Sequence, residues 1–200
     1  EDAVRRRIEA GSYSFEAGDA ARARAHLEKA ADDAGGGALR AEVLVRLARA
    51  HAFGADLRVA ARLYREALAE AEAETGVRAQ AEEGLAVALM RMLEALPTAA
   101  RHASEAKKIA ETVGARWLLP DFLAAQALIE SLLGRPRASE LMRRAVELAN
   151  EGAPDVPTDY FLRGLQGATF MEGILRIWVD DLDSARSKLA AARARARARR

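Results

Sequence analysis

The sequence predicts an all-α protein: a right-handed superhelical solenoid of about five antiparallel helix pairs. Three observations carry this prediction. A pair of alanines seven residues apart recurs at intervals of 37 to 47 residues, helix-forming residues dominate the composition, and no stretch alternates in the manner of a β-strand. The alanine pairs are Ala23 and Ala30, Ala60 and Ala67, Ala99 and Ala106, Ala138 and Ala145, and Ala185 and Ala192.

The two alanines of a pair lie two helical turns apart and therefore share one face of a helix. A small residue on that face lets a neighbouring helix approach closely. One helix pair cannot bury its apolar face alone, so stacking of successive pairs supplies the stability. We expect a single helical-repeat domain over 1–200, with units at 3–37, 38–76, 77–115, 116–152 and 158–200.

The first two units show the expected turn chemistry. The first unit has helices over 3–15 and 20–34, and three glycines at 35–37 end it. Asp19 stands where its carboxylate can cap the second helix, and Asp56 repeats that role in the second unit.

Prolines and aspartates mark the later units. Pro97 and Pro120 fit the first turns of helices, where a missing N–H costs little. Leu93 is expected to continue the buried stripe of the third unit. The loop at 152–157 is interpreted as a tolerated insertion more readily than as a binding rim. Asp181 and its acidic neighbours in the last turn are interpreted as helix caps and not as a cation site.

The composition limits the classes of function. Half of the residues are hydrophobic and 30% are charged, which is typical of a folded protein. The absence of cysteine excludes disulfides and thiol catalysis. There is no apolar run long enough for a transmembrane helix and no signal peptide, so we expect a cytoplasmic location. The chain lacks an initiator methionine and stops within an Ala-Arg run, and we interpret it as a fragment.

The charge does not favour nucleic-acid binding. The net charge is +1, and setting aside the five arginines of the last eight residues leaves about −4 for the rest. We expect no direct contact of this fragment with nucleic acid or membrane.

No catalytic or metal-binding pattern is evident. His26, His51 and His102 lie in separate units, without the spacing of a ligand pair. A phosphate-binding loop and a nucleophile elbow are also missing. We therefore expect no enzyme activity, no cofactor and no metal.

The repeat resembles the tetratricopeptide repeat in its second helix. Small, bulky and small residues follow one another in Ala23-Leu27-Ala30 and Ala60-Tyr64-Ala67, and related triplets end at Ala145 and Ala192. Twelve residues before the first alanine stand Gly11, Ala48 and Gly173, which resemble the small first-helix residue of that family. The first-helix tryptophan is missing, Ala103 replaces a bulky residue, and the period exceeds the usual ~34 residues.

Longer, degenerate repeats of this kind are similar to the sensor region of large LuxR-type, maltose-activator-like ATP-binding transcriptional regulators. This resemblance implies a sensor or interaction region of a cytoplasmic regulator, whose ATPase and DNA-binding parts lie elsewhere in the parent protein. A stand-alone adaptor that assembles two proteins is the alternative, and an enzyme-associated helical domain is a third.

The tetratricopeptide resemblance also implies a concave face built mainly by first helices. Polar residues beside the packing positions are the candidates to contact a protein or peptide, or a small-molecule inducer, through charge-assisted hydrogen bonds. A homodimer through exposed terminal helices is a further possibility that the sequence leaves open. The candidates are Glu42, Arg46, Arg49, Phe53, Arg91, Gln126, Glu130, Arg163, Gln166 and Arg176.

Overall fold

A computed structural model describes residues 1–73, 75–151 and 167–197 of the chain. These residues form helices and no strand, which confirms the all-α prediction. The helices are α1 (Asp2–Glu16), α2 (Ala20–Asp33), α3 (Ala38–Phe53), α4 (Leu57–Glu70), α5 (Gly76–Met92), α6 (Leu96–Thr112), α7 (Leu119–Leu132), α8 (Ala138–Glu151), α9 (Ala168–Trp178) and α10 (Leu182–Arg197), with a short 3-10 turn at Arg116–Leu118.

The described helices pack in succession as five hairpins, and these hairpins fall into two compact units. The first unit, Glu1–Val113, holds three hairpins, and the second, Gly114–Arg200, holds two. In the first unit α2 packs on α3, α4 packs on α5, and the first helices α3 and α5 also contact each other. In the second unit α9 packs on both α7 and α8. First helices thus touch other first helices within each unit.

The five first helices end in the same turn. In each, the N–H of one residue bonds the carbonyl three residues back, and the next N–H bonds the carbonyl five residues back, which is the Schellman motif. The left-handed residue of this turn has a positive φ in every case. These residues are Gly18, Ala55, Leu93, Gly134 and Asp180.

The prediction that Leu93 is buried is therefore wrong. Leu93 occupies the left-handed turn position with φ 55°, and it is 67% exposed. The helical stripe ends before the turn, because the chain reverses at this residue and its side chain leaves the face shared by Leu85 and Leu89.

The capping predictions are confirmed. The carboxylate of Asp19 accepts the N–H of Arg22 at 2.9 Å, and Asp56 accepts that of Val59 at 3.4 Å. Asp181 does the same for Ser184, so this acidic turn does cap a helix. The first turns of α6 and α7 contain Pro97 and Pro120 as expected.

All ten alanines of the recurring pairs are buried, and each pair lies on the second helix of its hairpin. Two of the small first-helix residues, Gly11 and Gly173, each contact a bulky residue of the second helix. A Cβ added to Gly11 would come within 2.8 Å of Leu27, and one added to Gly173 within 2.8 Å of Leu189. Leu27 and Leu189 therefore each rest against a glycine of their own hairpin, whereas Tyr64 lies against Gly84 of the next hairpin. The loop at 152–157 lies outside the described residues.

Candidate functional site

Two first helices of the first unit, α3 and α5, carry charged residues that are buried. Every residue from 43 to 50 on α3 is buried, including Arg46 and Arg49, and so is every residue from 81 to 90 on α5, including Glu82 and Glu83. Charged side chains are buried only with partners, because removal from water is costly. Both α3 and α5 therefore carry buried charged side chains within an apolar interior.

Two of the predicted residues pair on α3. Glu42 and Arg46 are one helical turn apart, and their carboxylate and guanidinium are 3.0 Å apart. The Arg46 side chain is nearly buried, whereas that of Glu42 is partly open to solvent. Glu42 is thus the outer member of this pair.

Arg49 reaches the second helix of its own hairpin. Its guanidinium hydrogen-bonds to the hydroxyl of Tyr64, which is almost fully buried, and Glu83 also lies near that hydroxyl. Burial raises the pKa of Tyr64 well above its ordinary value, and Arg49 opposes that rise. The tyrosine stays protonated, so this group is a hydrogen-bonding contact and not a base.

Glu82 on α5 pairs with a residue of α6 and with one of its own helix. Its carboxylate lies 2.5 Å from Nδ1 of His102 on α6, and Arg78 is 4.0 Å away on the same helix. The Glu82 and His102 side chains are largely shielded from water, which strengthens their attraction. Glu82, Glu83 and His102 were not among the predicted site residues.

The predicted residues that solvent reaches lie at the ends of α3 and α5. Phe53 is 52% exposed and rests edge-on against Phe15, with ring centroids 5.1 Å apart. Arg91 is exposed and donates to the carbonyl oxygen of Ala52 at 2.8 Å. The Arg91 guanidinium is thus bound to the residue that precedes Phe53 in the chain. We call these two residues the Phe53–Arg91 surface.

In the second unit, Gln126 and Glu130 are buried on α7. Glu130 accepts hydrogen bonds from Arg137 at 2.6 Å and from Arg135 at 3.2 Å, both in the turn between α7 and α8. These bonds, from Arg137 above all, lower the pKa of the Glu130 carboxyl despite its burial. Glu130 therefore fastens the hairpin turn.

Arg176 lies at the end of α9, where it pairs with Asp181 at 3.2 Å and with Glu172 at 3.5 Å. Lys188 on α10 is a second cation for Glu172, at 2.8 Å. Hydrogen bonds from Ser184, followed by the charge of Arg176, lower the pKa of Asp181. Arg163 and Gln166, the other two predicted residues, lie outside the described residues.

The buried charge at Glu82 becomes recognisable in the sequence once the turn positions are known. Counting back from the Schellman turn, Glu82 stands eleven residues before Leu93, and Leu44 stands eleven residues before Ala55. A carboxylate at a position that is apolar in the neighbouring hairpin indicates a buried ion pair. The two hairpins can be aligned in this way only when the position of the left-handed turn residue is known in each. The sequence alone does not show where the left-handed residue falls when it is not glycine.

The described residues contain no group of three or more side chains suited to hold a metal ion. Nor does any described helix combine the length and the apolar character needed to cross a membrane.

No model of a known protein family matches this sequence, and no curated protein matches it significantly.

Proposed function

We propose that this chain is a non-catalytic binding module, built as a right-handed solenoid of tetratricopeptide-like hairpins. The observation that supports it is the recurrence of one hairpin plan, with a Schellman turn after each first helix and a buried alanine pair on each second helix. Such arrays present a row of first helices to a partner. The proposed contact is the Phe53–Arg91 surface, because an aromatic ring beside arginine is typical of protein interfaces.

Contacts with neighbouring residues hold the side chains of this surface in place. Arg91 is held by the carbonyl of Ala52 at the end of α3, and Phe53 is supported by Phe15 on α1. Three successive hairpins thus contribute to one exposed patch. A patch whose side chains are already fixed loses less conformational entropy on binding a peptide than a free one.

Peptide selection tests the binding role. Peptides would be selected from a random display library against the whole chain, and their affinity measured by calorimetry. We expect selected peptides to bind at least about tenfold more weakly to the double variant F53A/R91Q. The matched control, Y13A/R65Q, removes an exposed aromatic ring and an exposed arginine elsewhere in the first unit and should keep the affinity. Equal loss in both variants, or no selectable peptide, would contradict the proposed surface.

The parent role that we propose is the sensor region of a cytoplasmic LuxR-type regulator, and it rests on the resemblance of the repeats. A ligand would act by changing the curvature of the array, so small-angle scattering should change when a selected peptide binds. The flanking reading frame decides the parent. An upstream phosphate-binding loop with a downstream helix-turn-helix supports the regulator. A reading frame that holds only repeats contradicts it.

A stand-alone adaptor is the second candidate, and the Phe53–Arg91 surface favours it. Aromatic and arginine side chains suit a protein partner better than a small inducer. A panel of sugars and nucleotides, scored by thermal shift, separates the two. Stabilisation by a small molecule supports the sensor, while stabilisation by selected peptides alone supports the adaptor.

A further inference from the structure

A groove lies between α1 and α2 on the outer face of the first hairpin. It encloses about 400 Å³ and is lined by Ala3, Arg6, Arg7, Ala10, His26 and Lys29. Two alanines form its floor, and the other four lining side chains are arginine, lysine and histidine. We call this feature the α1–α2 groove.

The positive charge of the groove is largely uncompensated. Arg7 pairs with Asp33 near the end of α2. Within the part of the chain that the structure describes, Arg6, His26 and Lys29 form no ion pair and no side-chain hydrogen bond. An acceptor from outside the hairpin would therefore meet several donors at once.

The equivalent positions in the other hairpins of this unit show how unusual this charge is. Arg7 stands eleven residues before Gly18, and His26 stands three residues after Ala23. The same positions in the second hairpin are Leu44 and Leu63, both buried. In the third hairpin they are Glu82 and His102, which pair with each other. Only the first hairpin of the unit places two basic residues there.

The same comparison shows what the face accepts. The residues at these positions are buried in the second hairpin and largely buried in the third. In both cases a helix of the preceding hairpin packs on the first helix: α2 packs on α3, and α4 packs on α5. The floor of the α1–α2 groove is made of alanines, which allow a helix to approach closely.

We propose that the α1–α2 groove binds an acidic helix of a partner protein. Glutamate or aspartate side chains on one face of that helix would pair with Arg6, Arg7 and Lys29, and small apolar residues would lie on Ala3 and Ala10. This surface is separate from the Phe53–Arg91 surface and does not depend on it.

Charge also favours an acidic helix over other possible ligands of the α1–α2 groove. The last helix of a second copy, α10, carries Arg186, Lys188 and Arg193, and would bring like charge to the groove. A small anion such as phosphate would need only a few converging donors. The cations are instead spread along α1 and α2 over an apolar floor, which suits an extended ligand.

The test uses the whole chain and two synthetic peptides. The probe is a fluorescein-labelled helical peptide of about 18 residues with Glu on one face and Ala and Leu on the other, and its control has Gln for every Glu. Fluorescence anisotropy at low salt should show binding of the Glu peptide, at least about tenfold tighter than the Gln peptide, and loss of affinity as salt is raised.

Variants of the chain locate the site. R6Q/K29Q should weaken binding of the Glu peptide roughly tenfold, whereas R65Q/R101Q, which removes the same charge from exposed positions on α4 and α6, should change it less than about twofold. All four substituted residues are exposed, so circular dichroism and the melting temperature should stay unchanged.

Three results would overturn the proposal. The Gln peptide could bind as tightly as the Glu peptide, or both double variants could lose affinity equally. Inorganic pyrophosphate could also bind the wild-type chain but not R6Q/K29Q while the Glu peptide fails to bind, which would make the groove a small-anion site. None of these results bears on the Phe53–Arg91 surface, whose variants are tested with selected peptides.

Discussion

The two units bury charged side chains in different ways. In the first unit two of the pairs have both members withdrawn from water: the Glu82 and His102 side chains are 8% and 16% exposed, and Arg49 bonds a buried tyrosine. In the second unit the acids are equally buried but the cations are not. Arg135 and Arg137 at Glu130 are 45% and 56% exposed, and Arg176 at Glu172 is 43% exposed.

The difference predicts where a lost partner is tolerated. Removing a half-exposed cation leaves an acid whose other partners can still reach it from solvent. Removing a buried member leaves a polar group inside the protein with no route to water, and the penalty is correspondingly larger. The first unit should therefore respond more steeply than the second to substitution of its buried polar residues.

The largest effect is expected for Arg49→Leu in the first unit. This change removes the donor from the buried Tyr64 hydroxyl and a positive charge near Glu83, and should lower the free energy of unfolding by about 3–5 kcal/mol. Urea denaturation measures the loss.

The counterpart in the second unit is Arg176→Leu. Lys188 remains 2.8 Å from Glu172, so the loss should stay below about 1 kcal/mol. Tyr64→Phe combined with Arg49→Leu should cost less than the sum of the single changes, because both act on one hydrogen bond. Equal losses at Arg49 and Arg176 would refute the contrast between the units.

Glycine substitutions probe the packing of the two units next. A Cβ on Gly84 would overlap the ring of Tyr64 and lie 2.7 Å from its hydroxyl oxygen, while a Cβ on Gly173 would lie 2.8 Å from the smaller aliphatic side chain of Leu189. Gly84→Ala should cost about 2–3 kcal/mol and Gly173→Ala about 1 kcal/mol.

Gly76→Ala is the matched control, because a Cβ there meets nothing within 4 Å and the residue opens α5. Its melting temperature should equal or exceed that of the wild type. If Gly84→Ala melts at the same temperature as Gly76→Ala, then Tyr64 moves freely and the first unit is not tightly packed at this point.

The hairpins could be predicted from sequence because their signals are local. Asp19 and Asp56 cap helices through their own side chains, and the alanine pairs recur at helical spacing. The buried pairs could not be predicted, because they join residues of different helices. Glu82 and His102 are twenty positions apart, and nothing near either residue indicates the other.

The concave-face candidates show the same limit. The candidates within the described residues do lie on helices, but the sequence could not tell an exposed residue such as Phe53 from a buried one such as Arg49. Exposure depends on how the neighbouring helices pack, and that information lies outside the helix. Whether any of these residues contacts a ligand stays a prediction.

A smaller, pH-dependent effect is expected for Glu130→Gln in the second unit. The Glu130 carboxylate is fully buried and accepts bonds from two arginines, so the change should cost about 2 kcal/mol near neutral pH. Because the folded-state pKa is lowered, this stability is present above the unfolded-state value of about 4.3 and is lost as pH falls towards the folded-state pKa.

Urea denaturation of both proteins between about pH 7 and about pH 3 measures this change. The gap between wild type and Glu130→Gln should narrow as acid is added. Glu140→Gln removes an exposed acid that pairs with Arg143, and it should show little difference at any pH because water screens that pair. A gap at Glu130 that persists unchanged in acid would mean that the shape of the side chain matters and its charge does not.

The smallest effects are expected at the Schellman turns, and they should have opposite signs in the two units. Leu93 in the first unit and Gly134 in the second hold the same left-handed position, with φ of 55° and 67°. Leu93→Gly should raise stability by about 0.5–1 kcal/mol, because glycine adopts this conformation without strain and the exposed leucine contributes little packing. Gly134→Ala should lower stability by about 1 kcal/mol for the converse reason.

Gly36→Ala, at a glycine without a positive φ, serves as the control and should be neutral or slightly stabilising in thermal melts. A destabilised Leu93→Gly would show that the leucine covers apolar surface, and the turns of the two units would then differ in packing as well as in their buried charges.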